Sequence, residues 1–361
     1  MKKKLPLFFW PFAILFLLAV AVRIAARIST AFADAFNESV GAFFRAALAK
    51  MTGFLPFSLA ELLILLTPLL LVALIFFGVR SLKKRHAFRR YVAVTLSILF
   101  SFYTLFVFTY AVGYQTTPIA QRMNLPDVKT TKERLYDVSL WASREADKLC
   151  PELSAGDYGT EMPYSWEEMT EHLNDAYETL SEKYPFLQSH RTSLKRIMLS
   201  EPMTYTGIVG VYSFFTGESN INTTYPDYCT VFTAAHEMAH QRGVAQEDAA
   251  NFLAFLACIH ASDAYIRYCG YLNLLDYTAA ALSRTDKELY VSLYKTYSER
   301  TLAEKRAAAE CYEAHQNDAV RDVASSVNDG YLQSQGAVGT IAYGLVVNLA
   351  VDYYETVVKK D

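Results

Sequence analysis

The residues able to do chemistry are concentrated in Thr233-Ala-Ala-His-Glu-Met-Ala-His-Gln-Arg-Gly243 and the Glu247-Asp-Ala-Ala-Asn251 that follows. His236 and His240 are four apart, so on an α-helix they share one face, one turn apart. Both imidazoles can then reach a single tetrahedral Zn²⁺ at about 2.0–2.1 Å. Glu237 sits beside the first histidine, placed to reach a water on the metal rather than the metal itself, which is the position of a general base. A catalytic zinc takes three protein ligands and keeps one position open. Gly243 is suited to end the motif helix in a left-handed conformation, and a second helix from about Gln246 would then bring Glu247 in as third ligand. Asn251, one turn further on, would hydrogen-bond a zinc-bound histidine or Glu247. Two alternatives stay open for the third ligand. Asp248 exchanges with Glu247 on a one-residue change of helix phase, and His260 lies thirteen residues beyond Glu247. The plain structural alternative is two packed or capping histidines beside two solvated acids.

His236-Glu237-x-x-His240, a glycine turn and Glu247-x-x-x-Asn251 resemble the gluzincin branch of zinc metallopeptidases, whose pattern is H-E-x-x-H followed by E-x-x-x-D. The gap from His240 to Glu247 is much shorter than in thermolysin-like enzymes, and Asn251 stands where the usual Asp falls. The metzincin pattern would put its third histidine at Gln246. The wider run from His236 to Cys258, with the preceding Gly217-Glu218 and Asn220-x-Asn222, is similar to an uncharacterised bacterial membrane-protein family with three N-terminal spans and a zincin-like domain. These resemblances imply a peptidase fold, zinc as cofactor and a peptide or protein substrate, but name no substrate.

In such a scheme Zn²⁺ lowers the pKa of a bound water towards 7 while Glu237 takes its proton. A donor must also steady the oxyanion. Tyr265, Arg267, Tyr268 and Tyr271 lie one helix beyond Glu247, and Tyr268 is the candidate. A different class of function, a metal-binding sensor without turnover, would keep the ligands but would not need Glu237. Ahead of the motif, 206–215 and 219–225 are rich in β-branched and aromatic residues and are split by Thr216-Gly217, which predicts two short strands. By resemblance and position, Glu218, Asn220 and Asn222 would lie on an edge strand where an extended substrate docks. An ordinary sheet strand is the alternative.

The elements that must position these groups begin in a membrane. Residues 5–22 and 62–79 are 18-residue runs without a charge, and 91–114 is a third, each long enough for a hydrocarbon core of about 30 Å. The expected architecture is a three-helix anchor over 1–114 followed by a zincin-like domain over 115–361, mainly α with a small β-sheet. Lys2, Lys3 and Lys4 precede the first run, and six Lys/Arg with no acid fill 80–90, so both are expected on the cytoplasmic side of the plasma membrane, with the C-terminal domain outside. Residues 24–50 are expected to be helical, either along the membrane surface with Arg27, Arg45 and Lys50 on its polar positions or as an extension of the first span. Transport through the spans finds little support, since none of the three runs contains a charge. The balance of 34 Lys+Arg against 37 Asp+Glu argues against nucleic-acid binding. Five cysteines (Cys150, Cys229, Cys258, Cys269, Cys311) include no C-x-x-C and are expected to be small buried hydrophobes rather than disulfides. Further helices are expected at 130–149, 165–183, 262–282, 286–308, 317–327 and 339–357, with a loop at 156–163 and a turn-rich patch at 328–331.

Overall fold

Long uncharged runs of Leu, Phe and Ala fold as helix, and the computed structural model of the protein describes residues 5–150, 155–156, 159–336 and 345–359. Helix α1 (Phe9–Ile28) leads through α2 (Thr30–Phe36) and a wide turn at Asn37–Gly41 into α3 (Ala42–Gly53). Helices α4 (Leu59–Ser81) and α5 (Arg85–Thr109) then form a hairpin. Of these, α1, α4 and α5 are long and apolar enough to cross a membrane, with 20, 23 and 25 residues; at 1.5 Å per residue each covers about 30 Å or more. Helix α1 packs along α5, with Phe16 stacked on Phe100 at 4.3 Å between centroids. Helix α4 leaves Leu69, Val72 and Ile75 exposed, as a lipid-facing helix would. The expected helical character of 24–50 is present. Arg45, however, is not on a surface face: it is fully buried.

Beyond a tight turn at Ala111–Gln115 come α6 (Ile119–Arg122), α7 (Lys132–Leu149), a two-residue hairpin of β1 (Ala155–Gly156) and β2 (Gly159–Thr160), and α8 (Trp166–Lys183). Ser165 and Glu168 close a capping box at the start of α8, which fixes where that helix begins. Strand β3 (Leu194–Arg196), helix α9 (Ser200–Thr204) and strands β4 (Gly210–Ser213) and β5 (Glu218–Ile221) lead to α10 (Asp227–Gln241) and α11 (Glu247–Ile259). Helices α12 (Ala264–Thr285), α13 (Lys287–Tyr294), α14 (Glu299–Ala314), α15 (Asp318–Gln335) and α16 (Leu345–Tyr353) complete the described chain. The single helix expected over 286–308 is two, because Ser298 caps a fresh start by accepting from the Thr301 N–H. Helix α15 runs through the patch expected as turn and stops instead at Gly336, in the left-handed region at φ +90°. The first part of the helix expected over 339–357 lies outside the described residues, as do Lys2, Lys3, Lys4 and part of the 156–163 loop.

The folded part is layered: the sheet packs on α10, α10 on α11, α11 on α12, and α12 on α7 and α13. Helix α11 is apolar on nearly every face, which suits a helix enclosed by neighbours. Its Phe252 and Phe255 are fully buried, each contributing about 1.5–3 kcal/mol. All five cysteines are free, as expected, but only Cys258 and Cys269 are buried packing groups; Cys150, Cys229 and Cys311 are half-buried.

The three-stranded sheet has the order β3-β5-β4, with β3 parallel and β4 antiparallel to β5. This corrects the edge-strand expectation for Glu218, Asn220 and Asn222. Glu218 and Asn220 lie in the middle strand, Asn222 follows it directly, and all three are buried. The strand β3, whose Leu194 pairs with Ser219 of β5, covers the side of β5 that pairwise reading of a hairpin leaves open. The edge that lies free beside α10 belongs to β4.

Candidate metal centre

Helix α10 delivers His236 and His240 to one face, and the turn at Gly243 folds α11 back so that Glu247, its first residue, meets them. Glu247 Oε2 lies 3.3 Å from His236 Nε2, and its Oε1 lies 3.6 Å from His240 Nε2. The three ligand atoms lie within 4.8 Å of one another, a spacing that tetrahedral bonds of about 2 Å accommodate. Asp248 and His260, the alternatives, are not in this group: His260 bonds its own helix at the Leu256 carbonyl, 2.9 Å from Nδ1.

Several features prepare His240 for a cation at Nε2. Its Nδ1 is 2.7 Å from the Val244 carbonyl, which holds a proton on Nδ1 and turns Nε2 towards Glu247. The Tyr110 hydroxyl stands 3.3 Å from the same nitrogen. Burial opposes charge on His240, but the Glu247 carboxylate outweighs it and raises the imidazole to about 9. Burial likewise opposes charge on Glu247, and the two histidines hold it far below the usual carboxylate range. A proton held between His240 and Glu247 therefore takes the place that a divalent cation would fill. The donor set of two imidazoles and a carboxylate fits zinc.

Glu237 projects towards the sheet rather than into the ligand group. Its Oε1 lies against β4 beside Gly210, where the Tyr212 backbone N–H favours the charged form, while Oε2 is buried without a protein partner. Burial raises this carboxyl above its usual range, against the pull of the two histidines. A side chain at Gly210 would come within 2.7 Å of Glu237 Oε1 and of Thr233 Cγ2, so only glycine lets the strand lie this close. A glycine inside a β pattern is the sequence signal for such an approach. Ser219 Oγ donates to the Glu237 carbonyl at 3.0 Å, and Gln241 Nε2 donates to the Gly217 carbonyl, fastening α10 to the sheet.

Other expected participants lie elsewhere. The Asn251 amide oxygen accepts from the Tyr277 hydroxyl at 3.0 Å, and no hydrogen bond from Asn251 to His236, His240 or Glu247 occurs among the described residues. Tyr268 is buried, with its hydroxyl directed to Glu304 at 3.3 Å. The tyrosines that the fold brings to the ligand group come from other segments. Tyr110 packs edge-on against His240 and Tyr114 and tilted against Tyr212, and Tyr331 of α15 packs on Tyr114.

The wall behind His240 was not legible as part of a site. Arg45 donates to Asn37 Oδ1 (2.9 Å), the Asn37 carbonyl (2.7 Å) and the Thr109 carbonyl (3.1 Å). Asn37 Nδ2 in turn donates to the Gly243 carbonyl at 3.0 Å. Gly243 has φ +95°, and a Cβ there would fall 2.4 Å from Arg45 Nη2. The turn that places Glu247 is thus seated on a buried guanidinium from the segment between the first two membrane-length helices. The boundary expected after Tyr114 runs through the site.

The fold and site together define a mainly helical protein with three membrane-length helices and a buried His-His-Glu group. Over residues 36–351 the chain matches the family described as protein of unknown function (DUF3810), and it belongs to that family. The matched stretch takes in Asn37, Arg45 and Tyr110 as well as the ligand group. No curated protein and no solved structure matches the chain.

Proposed function

We propose that this protein is a membrane-anchored zinc metallopeptidase with a zincin-like site. The observation that carries the reading is the convergence of His236, His240 and Glu247 within 4.8 Å, beside a Glu237 whose Oε2 has no protein partner. A buried carboxylate oxygen without a protein partner is what a general base that holds a water would present. Bound zinc would supply a Lewis acid that makes water nucleophilic near neutral pH. Glu237 accepts the proton of the attacking water and returns it to the amine nitrogen as the C–N bond breaks. The raised pKa of Glu237 suits both transfers. The free edge of β4, not β5, is the place for an extended peptide, since Glu237 sits against its Tyr212 N–H. Tyr110 steadies His240 and replaces Tyr268 as the aromatic hydroxyl at the site. The basic 80–90 stretch at the opposite end of α4 and α5 orients the site to the outside of the plasma membrane.

The test is metal content and cleavage of a peptide library by the full-length protein in lipid nanodiscs, wild type against Glu247→Ala and Glu237→Gln. Stoichiometric zinc is expected in wild type and Glu237→Gln, with affinity lower by roughly 100-fold or more in Glu247→Ala. Cleavage is expected in wild type alone. Zinc without turnover in any sample would favour a metal-binding sensor on the same frame, and absence of zinc after reconstitution would end the proposal.

A further inference from the structure

Both ends of β5 are tied to the first turn of α4. At one end the Glu218 carboxylate accepts from the Leu59 and Ala60 N–H groups at 3.1 and 2.8 Å, capping the helix with a negative charge. At the other, Ile197 N–H pairs with the Ile221 carbonyl, and the next two residues, Met198 and Leu199, donate their N–H groups to the Glu61 carboxylate at 2.9 and 2.8 Å. Between them, Ser58 Oγ donates to Asn220 Oδ1 at 2.6 Å. The sheet therefore lies across the point where α4 enters its apolar stretch, rather than standing away from it.

The end of α5 is fastened to the same sheet. Thr109, its last residue, donates through Oγ1 to the Phe214 carbonyl at 3.0 Å, and Phe106 packs on Phe214 at 5.1 Å. Tyr110, one residue further, is the group that touches His240. No spacer separates the membrane-length helix from the ligand shell.

Around this junction the surface is apolar where a water-facing surface would not be. Met51 (67% exposed), Phe54 (79%) and Met198 (73%) form a collar with Phe57 and Leu199 beside the first turn of α4. Lys195 Nζ holds the chain beneath it by donating to the Gly53 and Leu55 carbonyls. The free β4 edge continues this character, with Val209 and Val211 exposed.

We propose that the collar is seated in the interfacial layer of the bilayer where α4 begins, so that the metal centre works on polypeptide lying along the membrane surface. Its substrate class is then the juxtamembrane segment of a membrane-anchored chain. The substrate part rests on the peptidase reading; the seat does not. A water-exposed collar of this size next to a span would be unfavourable, whereas aromatic and sulfur side chains at that depth bury apolar surface in the headgroup–acyl boundary. An extended segment held at that level meets the β4 edge without unfolding a soluble domain.

Two measurements on the full-length protein in nanodiscs of phosphatidylcholine and phosphatidylglycerol test this. For the seat, single tryptophans are added at Phe54→Trp, Met198→Trp and, on α13 at the far end of the helix stack, Val291→Trp. Bromine-labelled acyl chains are expected to quench the first two above the wild-type background and to leave the third unquenched. Equal quenching at all three, or none at Phe54→Trp and Met198→Trp, overturns the seat whatever the catalytic result. For the substrate, the best-cleaved library peptide is offered free and with a palmitoyl chain a few residues from the scissile bond. Tethering to the same membrane raises effective concentration, and a kcat/KM gain of roughly tenfold or more is expected. Equal rates with zinc bound overturn the substrate class while leaving the peptidase reading intact. Failure to cut either peptide sinks both of those, and the quenching result still decides the seat.

Discussion

On one side of His240 stand α10 and α11, neighbours in sequence that share a core of Phe252, Leu253 and Met238. On the other stand Asn37 and Tyr110, which reach the Gly243–His240 corner across 206 and 130 residues of chain. The near wall is held by apolar burial and supplies the ligands. The far wall is held by hydrogen bonds to a buried guanidinium; it seats the Gly243 turn and adds Tyr110 to the Val244 carbonyl at His240 Nδ1. The contrast teaches that ligand identity and ligand geometry can be encoded in separate parts of a chain.

Substituting each wall in turn breaks the comparison if it is wrong. Arg45→Met strips donors from Asn37 Oδ1, the Asn37 carbonyl and the Thr109 carbonyl. The expected loss is roughly 3 kcal/mol or more of stability. Because the Gly243 turn is seated there, zinc affinity should fall too, by about 10–100-fold. Phe252→Ala on the near wall should cost a similar roughly 3–5 kcal/mol through its cavity, yet leave the zinc affinity of the folded fraction unchanged. Thermal unfolding and zinc titration on the same samples settle this. Matching losses of affinity would mean that the walls do not divide the work.

The seam between the walls should show in acid. Burial, with Arg242 and Arg45 nearby, lowers His190 from its ordinary value to about 3. Between pH 6.5 and 3 the unfolded chain binds a proton there and the folded chain does not, so stability falls as pH drops across that window. The slope should approach about 1.4 kcal/mol per pH unit, and His190→Gln should flatten it. An unchanged acid limb in that variant would remove His190 from the account. The smallest effect belongs to Tyr110→Phe, which deletes a hydroxyl 3.3 Å from His240 Nδ1. About tenfold weaker zinc binding or less is expected, with the fold kept; no change at all would leave the Val244 carbonyl as the sole orienting group.

What could be read in the sequence follows the same division. His236, His240 and Glu247 fall together through helix periodicity and one glycine turn, both local signals. The three membrane-length helices are equally local. Strand order is not, and so Glu218 and Asn220 look like an edge until β3 is seen beside β5. Arg45 carries a hint in retrospect: a charge set among Phe43, Phe44, Ala46 and Ala47 in α3, with Asn37 two turns earlier, is as consistent with a buried donor as with a surface face. Tyr110 offers no hint, because its partner His240 lies in another element and chain geometry alone does not pair them.

The seating of Gly243 on Arg45 also has a consequence for the order in which the protein matures. During synthesis the first three long helices and the segment carrying Asn37 and Arg45 leave the ribosome well before His240 exists. Membrane insertion thus builds a half-socket into which the later turn docks. A chain that fails to insert cannot present that guanidinium correctly, and it holds its two histidines on an unsupported corner. If the centre binds metal as proposed, its ligand group would be completed only in chains that have already inserted.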